Sequence, residues 1–153
     1  MDDIIIRKAN IKDLASLLEF EQGIIKAERP FDPTLADDPI SYYDLKELIA
    51  SDTAEILVGE HKGKLIASGY ANIKQAKSYL DHKRFSYLGF MYTDPNYRGK
   101  GLNRRIVDGL KEWSFEKGVK EIRLTVYEEN IGAIKAYEKV GFKNHLIEMR
   151  IED

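Results

Sequence analysis

Four residues, Arg98-Gly99-Lys100-Gly101, carry the first chemical signal in the chain. They follow the apolar, aromatic run Phe85 to Thr93, which ends at Asp94-Pro95, and a helix-patterned segment opens at Leu102 and Asn103. A strand that turns through glycines into a helix start gathers free backbone N–H groups and a positive dipole end at one point. Such a point binds anions, phosphates above all. The plain alternative is a solvated basic turn, since many α/β proteins place a glycine there. A second constellation lies downstream in Asn130-Ile131-Gly132-Ala133-Ile134-Lys135-Ala136-Tyr137. Asn130 can cap a helix, and Tyr137, about two turns on, shares its face.

The totals set limits on both. The chain has 153 residues, 43% apolar and 33% charged, with a formal net charge of −2. That composition fits one core, and the single domain is expected to span residues 1–153. No basic excess calls for nucleic acid or an anionic membrane. There is no cysteine, so disulfides, thiolate catalysis and Cys-ligated metals are excluded. No apolar run approaches the ~20 residues of a membrane span. The start, MDDIIIRKAN, lacks the basic-then-apolar layout of a secretory signal, so a cytoplasmic protein is expected.

The elements that position these residues can be read in order. Ile4 to Arg7 reads as a strand. Asn10 caps a first helix, with Asp13 near its positive end and Leu14, Leu17, Leu18 and Ile25 on one face. A second helix is expected after Asp37-Asp38-Pro39, capped by Asp38, with Tyr42, Leu45, Leu48 and Ile49 as its apolar face. Glu55 to Glu60 and Lys64 to Ile73 form a hairpin around His61-Lys62-Gly63. Phe85 to Thr93 is the third strand of this meander. The helix after Gly101 buries Ile106, Val107, Leu110, Trp113 and Ser114. Glu121 to Tyr127 alternates as a strand and makes a parallel crossover with the strand before the helix. The Asn130-capped helix ends at Gly141, and Phe142 to Ile151 supplies a last strand. The order is β-α-α-β-β-β-α-β-α-β.

With these elements placed, the chain resembles the GNAT family of N-acetyltransferases. Asp94-Pro95-Asn96-Tyr97-Arg98-Gly99-Lys100-Gly101-Leu102 is similar to that family's acetyl-coenzyme-A pyrophosphate loop. Asn130 to Phe142 resembles its Asn-x-x-Ala…Tyr-x-x-x-Gly-Phe segment. The resemblance implies an α/β (α+β) acyl-CoA N-acyltransferase fold: a single mixed, mostly antiparallel sheet flanked by helices, with splayed central parallel strands. It also implies direct transfer of acetyl from the thioester of acetyl-CoA to a primary amine of a small molecule or protein. Two departures stand out. Asn103 replaces the family's usual small residue, adding bulk and also an amide that can donate to phosphate. The stretch from Phe142 to Asp153 is short for the two-stranded hairpin that often walls the acceptor pocket.

Residue roles follow from the resemblance. Backbone N–H groups of Arg98, Gly99, Lys100, Gly101, Leu102 and Asn103 would hold the pyrophosphate, with charge from Arg98 and Lys100. Main-chain groups of Met91, Tyr92 and Thr93 would pair with the pantetheine arm, and an N–H near Met91 or Tyr92 would meet the oxyanion. Asn130 would bond across the splay or to the cofactor as well as capping its helix. Ala133 is small so that the cofactor can pass. Tyr137 is the catalytic candidate, a phenol placed to protonate the departing thiolate, against a buried packing role. The base is open among Asp94, Glu128, Glu129, Glu28, Asp32 and a water chain. His61, His82 and His145 read as surface or structural, and no metal is expected. Glu19, Glu21, Glu28, Asp32, Asp37, Asp38 and Asp44 outnumber Lys26, Arg29 and Lys46 around the first two helices. That excess would attract a cationic acceptor, unless it is only a solvated helix face or Arg29 meets a substrate carboxylate. A monomer or homodimer is expected, and a CoA-binding regulatory domain without turnover is the alternative function.

Overall fold

The computed structural model describes residues 3–152. Five strands form one sheet in sequence order: β1 (Ile4–Lys8), β2 (Ala54–His61), β3 (Lys64–Gln75), β4 (Arg84–Thr93) and β5 (Ile122–Arg123). The first three pairings are antiparallel and β4–β5 is parallel. The β2–β3 hairpin turns at Lys62 and Gly63, with φ of 52° and 80°. Positive φ at both positions matches the right-handed twist of the flanking strands.

Among the described residues, helices α1 (Leu14–Glu28), α2 (Leu45–Ala50) and α3 (Leu102–Glu116) cover the sheet, and α4 (Ile131–Lys139) follows β5. Alternation along the strands sends side chains into two apolar clusters. Leu57, Ile66, Ala71 and Leu88 meet Ile106, Val107 and Leu110 of α3 in one. Ile56, Val58, Tyr70 and Phe90 meet Leu17, Phe20 and Ile24 of α1 and Leu45 of α2 in the other. Ser114 of α3 is buried with its hydroxyl 2.8 Å from both the Ser86 hydroxyl and the Leu110 carbonyl. Trp113 lies only partly buried beside that cluster.

The capping signals place their helices. Asn10 accepts from Lys12 N–H at 2.9 Å, and Asp13 accepts from Asn10 N–H at 2.8 Å, so a capping box leads through a 3-10 turn into α1. Asn130 accepts from Ala133 N–H at 3.3 Å and opens α4. Gly118 and Gly141, with φ of 78° and 108°, follow α3 and α4.

Three expectations need correction. The second helix begins not after Asp38 but at Leu45, capped by Asp44, which accepts from Glu47 N–H at 3.1 Å. The cause is Glu21: its buried carboxylate accepts from the N–H groups of Tyr42 and Tyr43 at 2.7 and 2.8 Å, which holds that stretch out of helix. Leu18 is 45% exposed, and the inner face of α1 is Leu17, Phe20, Glu21, Ile24 and Ile25. Residues 142–152 form no strand, and the paired part of Glu121 to Tyr127 is only Ile122–Arg123. The parallel pair therefore lies at one end of the strand order.

Candidate active site

β4, the turn after it and the start of α3 build one half of the site. β4 pairs with β3 over nearly its whole length but with β5 only at Ser86–Ile122 and Tyr87–Arg123. From Leu88 to Thr93 its second edge has no strand partner among the described residues. Met91, Tyr92 and Thr93 lie on this open stretch. There Phe90 and Met91 together oppose Gly69, a bulge between the pairs Tyr70–Gly89 and Ser68–Tyr92. Phe90 has φ of +57°, a left-handed conformation that costs a non-glycine residue about 1–2 kcal/mol. Buried contacts hold it: the Ser68 hydroxyl donates to the Phe90 carbonyl at 2.9 Å, and the Tyr43 ring meets the Phe90 ring edge-on at 5.4 Å. A bulge leaves its extra residue out of the ladder, freeing main-chain groups on the open side.

The turn is pinned at both ends. Asp94 caps the Pro95–Tyr97 turn by accepting from Asn96 N–H at 2.9 Å, and Leu102 is buried in the α3 cluster. Between them Gly99 and Gly101 both have φ of +77°, and a Cβ added at either would meet nothing within 4 Å. Gly101 is the N-cap of α3 and brings no capping side chain, so the first N–H groups of that helix are left for a ligand. Arg98, Lys100 and Gly99 are exposed, and Asn103 is half-buried at the helix start. Open space before free N–H groups, with two cations beside it, fits a pyrophosphate.

Tyr97 of this turn has partners the sequence did not reveal. His61 Nδ1 lies 2.7 Å from the Tyr97 hydroxyl, and His61 Nε2 lies 2.8 Å from Asp3 Oδ2. His61 thus ties the turn to the β2–β3 hairpin, a sharper role than an unpartnered surface histidine. Its partners are 36 and 58 residues distant, beyond any local spacing rule.

The second half of the site gathers residues from α1, the loop after it, β4, the stretch after β5, and α4. Tyr137 on α4 packs edge-on against Phe142 at 5.8 Å. Burial pushes its phenol up to about 12, with added upward pressure from Glu28 and Tyr87. Those three residues, far apart in sequence, share one neighbourhood. Burial also raises the Glu28 carboxyl above its ordinary value, opposed by the Tyr42 hydroxyl beside it. The Tyr42 hydroxyl is itself buried and makes no regular hydrogen bond among the described residues. Asp32 accepts from Tyr127 at 2.6 Å and from Thr34, and these bonds hold its carboxyl below the usual range. Tyr127 stacks on Phe31 at 6.3 Å, and Tyr87 reaches Thr125 at 2.5 Å.

Among the carboxylates expected as bases, Asp94 is committed to its cap, and Glu128 and Glu129 are exposed. Glu28 is the one that burial and neighbours join to Tyr137. Asn130 is engaged as a helix cap, and Ala133 is half-buried on the same helix. Part of the acidic excess is consumed within the fold, since Glu21 is buried and Asp38 pairs with Arg29 at 2.8 Å. Glu28, with Asp32 after it, remains at the site.

Comparison with known proteins agrees with this geometry. Residues 21–142 match the model of the acetyltransferase (GNAT) family. A glucosamine 6-phosphate N-acetyltransferase from Trypanosoma brucei brucei is 25% identical over 150 residues, covering 98% of this chain and 96% of that protein. An aminoglycoside N(6')-acetyltransferase type 1 from Stenotrophomonas maltophilia is 25% identical over 142 residues, covering 90% and 85%. In three dimensions, a predicted acetyltransferase from Clostridium acetobutylicum, crystallised with acetyl-CoA, superposes with a TM-score of 0.77 at 20% identity, covering 97% and 96%. The chain belongs to the acetyltransferase (GNAT) family and is an N-acetyltransferase.

Proposed function

We propose that this single-domain enzyme, residues 1–153, acetylates a cationic primary amine. In this reading Glu28 takes the proton from the amine and Tyr137 supplies one to the leaving sulfur. The observation that supports it is that the buried Tyr137 phenol feels the charge of Glu28, a residue far from it in sequence. Acetyl-CoA supplies an activated carbonyl. Free N–H groups from Arg98 to Asn103 hold its pyrophosphate, and main-chain groups of Met91, Tyr92 and Thr93 hold its arm. Asn130 and Ala133 form the α4 wall of that groove. An N–H freed by the bulge at Phe90 and Met91 meets the oxygen as it becomes negative.

An ammonium enters beside Glu28 and Asp32, and the Tyr127 hydroxyl holds the Asp32 carboxylate. Glu28 removes one proton, the neutral nitrogen bonds to the acetyl carbon, and the carbon–sulfur bond breaks. Tyr137 gives its proton to the sulfur, and the new amide releases the nitrogen's second proton, which restores the phenol. The raised Glu28 pKa supports the first step, because a stronger base removes a proton more readily. The cationic acceptor is supported by the two carboxylates. The relatives named for amino-sugar and aminoglycoside acetylation make polar, amine-bearing small molecules the first acceptors to try. Use of acetyl-CoA, a metabolite of the cell interior, supports a cytoplasmic location.

Thiol release from acetyl-CoA across a panel of cationic, neutral and anionic amines tests the reading. Turnover should concentrate in the cations. Turnover confined to carboxylate-bearing amines would reverse the assignment of the acidic wall. Cofactor binding with no turnover on any amine would favour a regulatory domain.

A further inference from the structure

Just before the edge of β4 opens, two cations lean onto that strand from either side. Lys74 of β3 stands opposite Phe85 of β4, and Arg123 of β5 stands opposite Tyr87. Cross-strand partners share a face, and Phe85 and Tyr87, two residues apart, share it with them. It is the α1 face, since Tyr87 packs against that cluster. Lys74 Nζ lies 4.7 Å from the centre of the Tyr87 ring, and the Arg123 guanidinium lies 5.6 Å from that of Phe85. Each cation thus reaches over β4 to the ring opposite the other. Asn72, also opposite Tyr87, adds an amide on the same face. Arg123 pairs with Glu121 at 3.0 Å, whereas Lys74 is exposed and pairs with no carboxylate among the described residues. Like charges that converge repel, and a shared anion removes that cost.

We propose that Lys74, Arg123 and Asn72 form an anion subsite for the acceptor, which carries a carboxylate or phosphate remote from its amine. The proposal rests on the reading of Glu28 and Asp32 as the amine end and narrows it. The amine still binds as an ammonium, and plain cationic amines lack only the second contact. Tyr87 joins the two ends. It is the last residue of β4 paired with β5, its hydroxyl reaches Thr125 at 2.5 Å, and its charge is felt by Tyr137. The pyrophosphate turn is elsewhere, because Phe85 to Thr93 spans about 25 Å of extended strand. Glu121 offsets one of the two cations, and the acceptor's anion offsets the other. The rings beneath the cations hold them in place by their negative faces.

Two matched pairs separate the anion from the amine: glucosamine with glucosamine 6-phosphate, and hexylamine with 6-aminohexanoate. In at least one pair kcat/KM should be on the order of tenfold higher for the anionic member. Lys74→Glu should bring that ratio to one or below, and Lys74→Arg should keep it. An unchanged thermal melt would show that Lys74→Glu still folds. Glu28→Gln tests the amine end separately, through the pH profile, and should leave the ratio within each pair standing. Binding is read without turnover by NMR titration of the CoA-loaded protein with inorganic phosphate and with acetate. Either anion should shift the amide signals of Asn72, Lys74, Tyr87 and Arg123 in the wild type and not in Lys74→Glu, and the anion that does so names the acceptor's group. Equal kcat/KM within both pairs, a ratio indifferent to Lys74→Glu, or signals that neither anion moves in the wild type would each overturn the proposal.

Discussion

In the proposed reaction Glu28 and Tyr137 begin and end the proton path, and opposite demands fall on them. A base must be ionised to work, while an acid must keep its proton. Burial lifts both groups, which leaves Glu28 a stronger base and Tyr137, at about 12, fully protonated near neutrality. Activity limited by Glu28 should rise with pH through a value above the ordinary carboxylate range and then level off. Glu28→Gln should lower kcat/KM on the order of a hundredfold and remove that rising limb. A pH profile unaltered in shape would show that another group carries the proton. Tyr137→Phe should lower kcat by a similar factor and leave acetyl-CoA affinity unchanged, as measured by calorimetry. Tyr137 was readable from its spacing to Asn130. The Glu28 site was readable only as one candidate among several, because Tyr42, Tyr87 and Tyr137 reach it from distant elements.

At the scale of elements, short-range chemistry was legible and long-range competition was not. Asn10, Asn130, Lys62-Gly63 and the glycine turn act within a few residues of themselves, and each does what its local pattern says. The start of α2 escaped because Glu21, one element earlier, takes the N–H groups of Tyr42 and Tyr43. Glu21→Ala would leave both half-buried donors without their acceptor. The expected loss is about 2–4 kcal/mol, read as a lower urea midpoint. Gly101→Glu should abolish acetyl-CoA binding, since it places a side chain at φ +77° and a negative charge where the pyrophosphate sits. Tyr97→Phe tests the His61 clasp: KM for acetyl-CoA should rise several-fold with kcat little changed. An unchanged KM would leave the clasp a purely structural contact.

Across the whole molecule, the proposed donor groove and acceptor wall carry opposite charge. Arg98 and Lys100 stand exposed on the turn proposed for the pyrophosphate, and Glu28 and Asp32 lie where the amine is proposed to enter. One site can then draw an anionic donor and a cationic acceptor without mixing their places. Raising ionic strength should depress kcat/KM for a cationic amine and leave that for a neutral amine nearly constant. Equal salt dependence for the two would remove the acidic wall from acceptor selection. The β2–β3–β4 meander was legible because its strands alternate and its hairpin turns at Gly63. The segment 143–152 also has a strand pattern, but it pairs with no strand among the described residues.

The bulge at Phe90 also works as a phase shift in β4. Upstream, Tyr87 and Leu88 fall to opposite faces in ordinary alternation. At the bulge Gly89 and Phe90 both face the α1 side: a Cβ on Gly89 would press on the Tyr70 ring at 2.8 Å, and Phe90 packs among the α1 residues. The strand then resumes with Met91 toward α3 and Tyr92 stacked on Phe20 at 4.4 Å. One strand thus carries two reading frames, one before the bulge and one after it. Deleting one residue there would leave a single unbroken alternation, with Met91 and Tyr92 on their present faces and no residue left out of the ladder. The extra residue is therefore what opens the main chain at this edge, while the side chains on either side of it stay in the two apolar clusters.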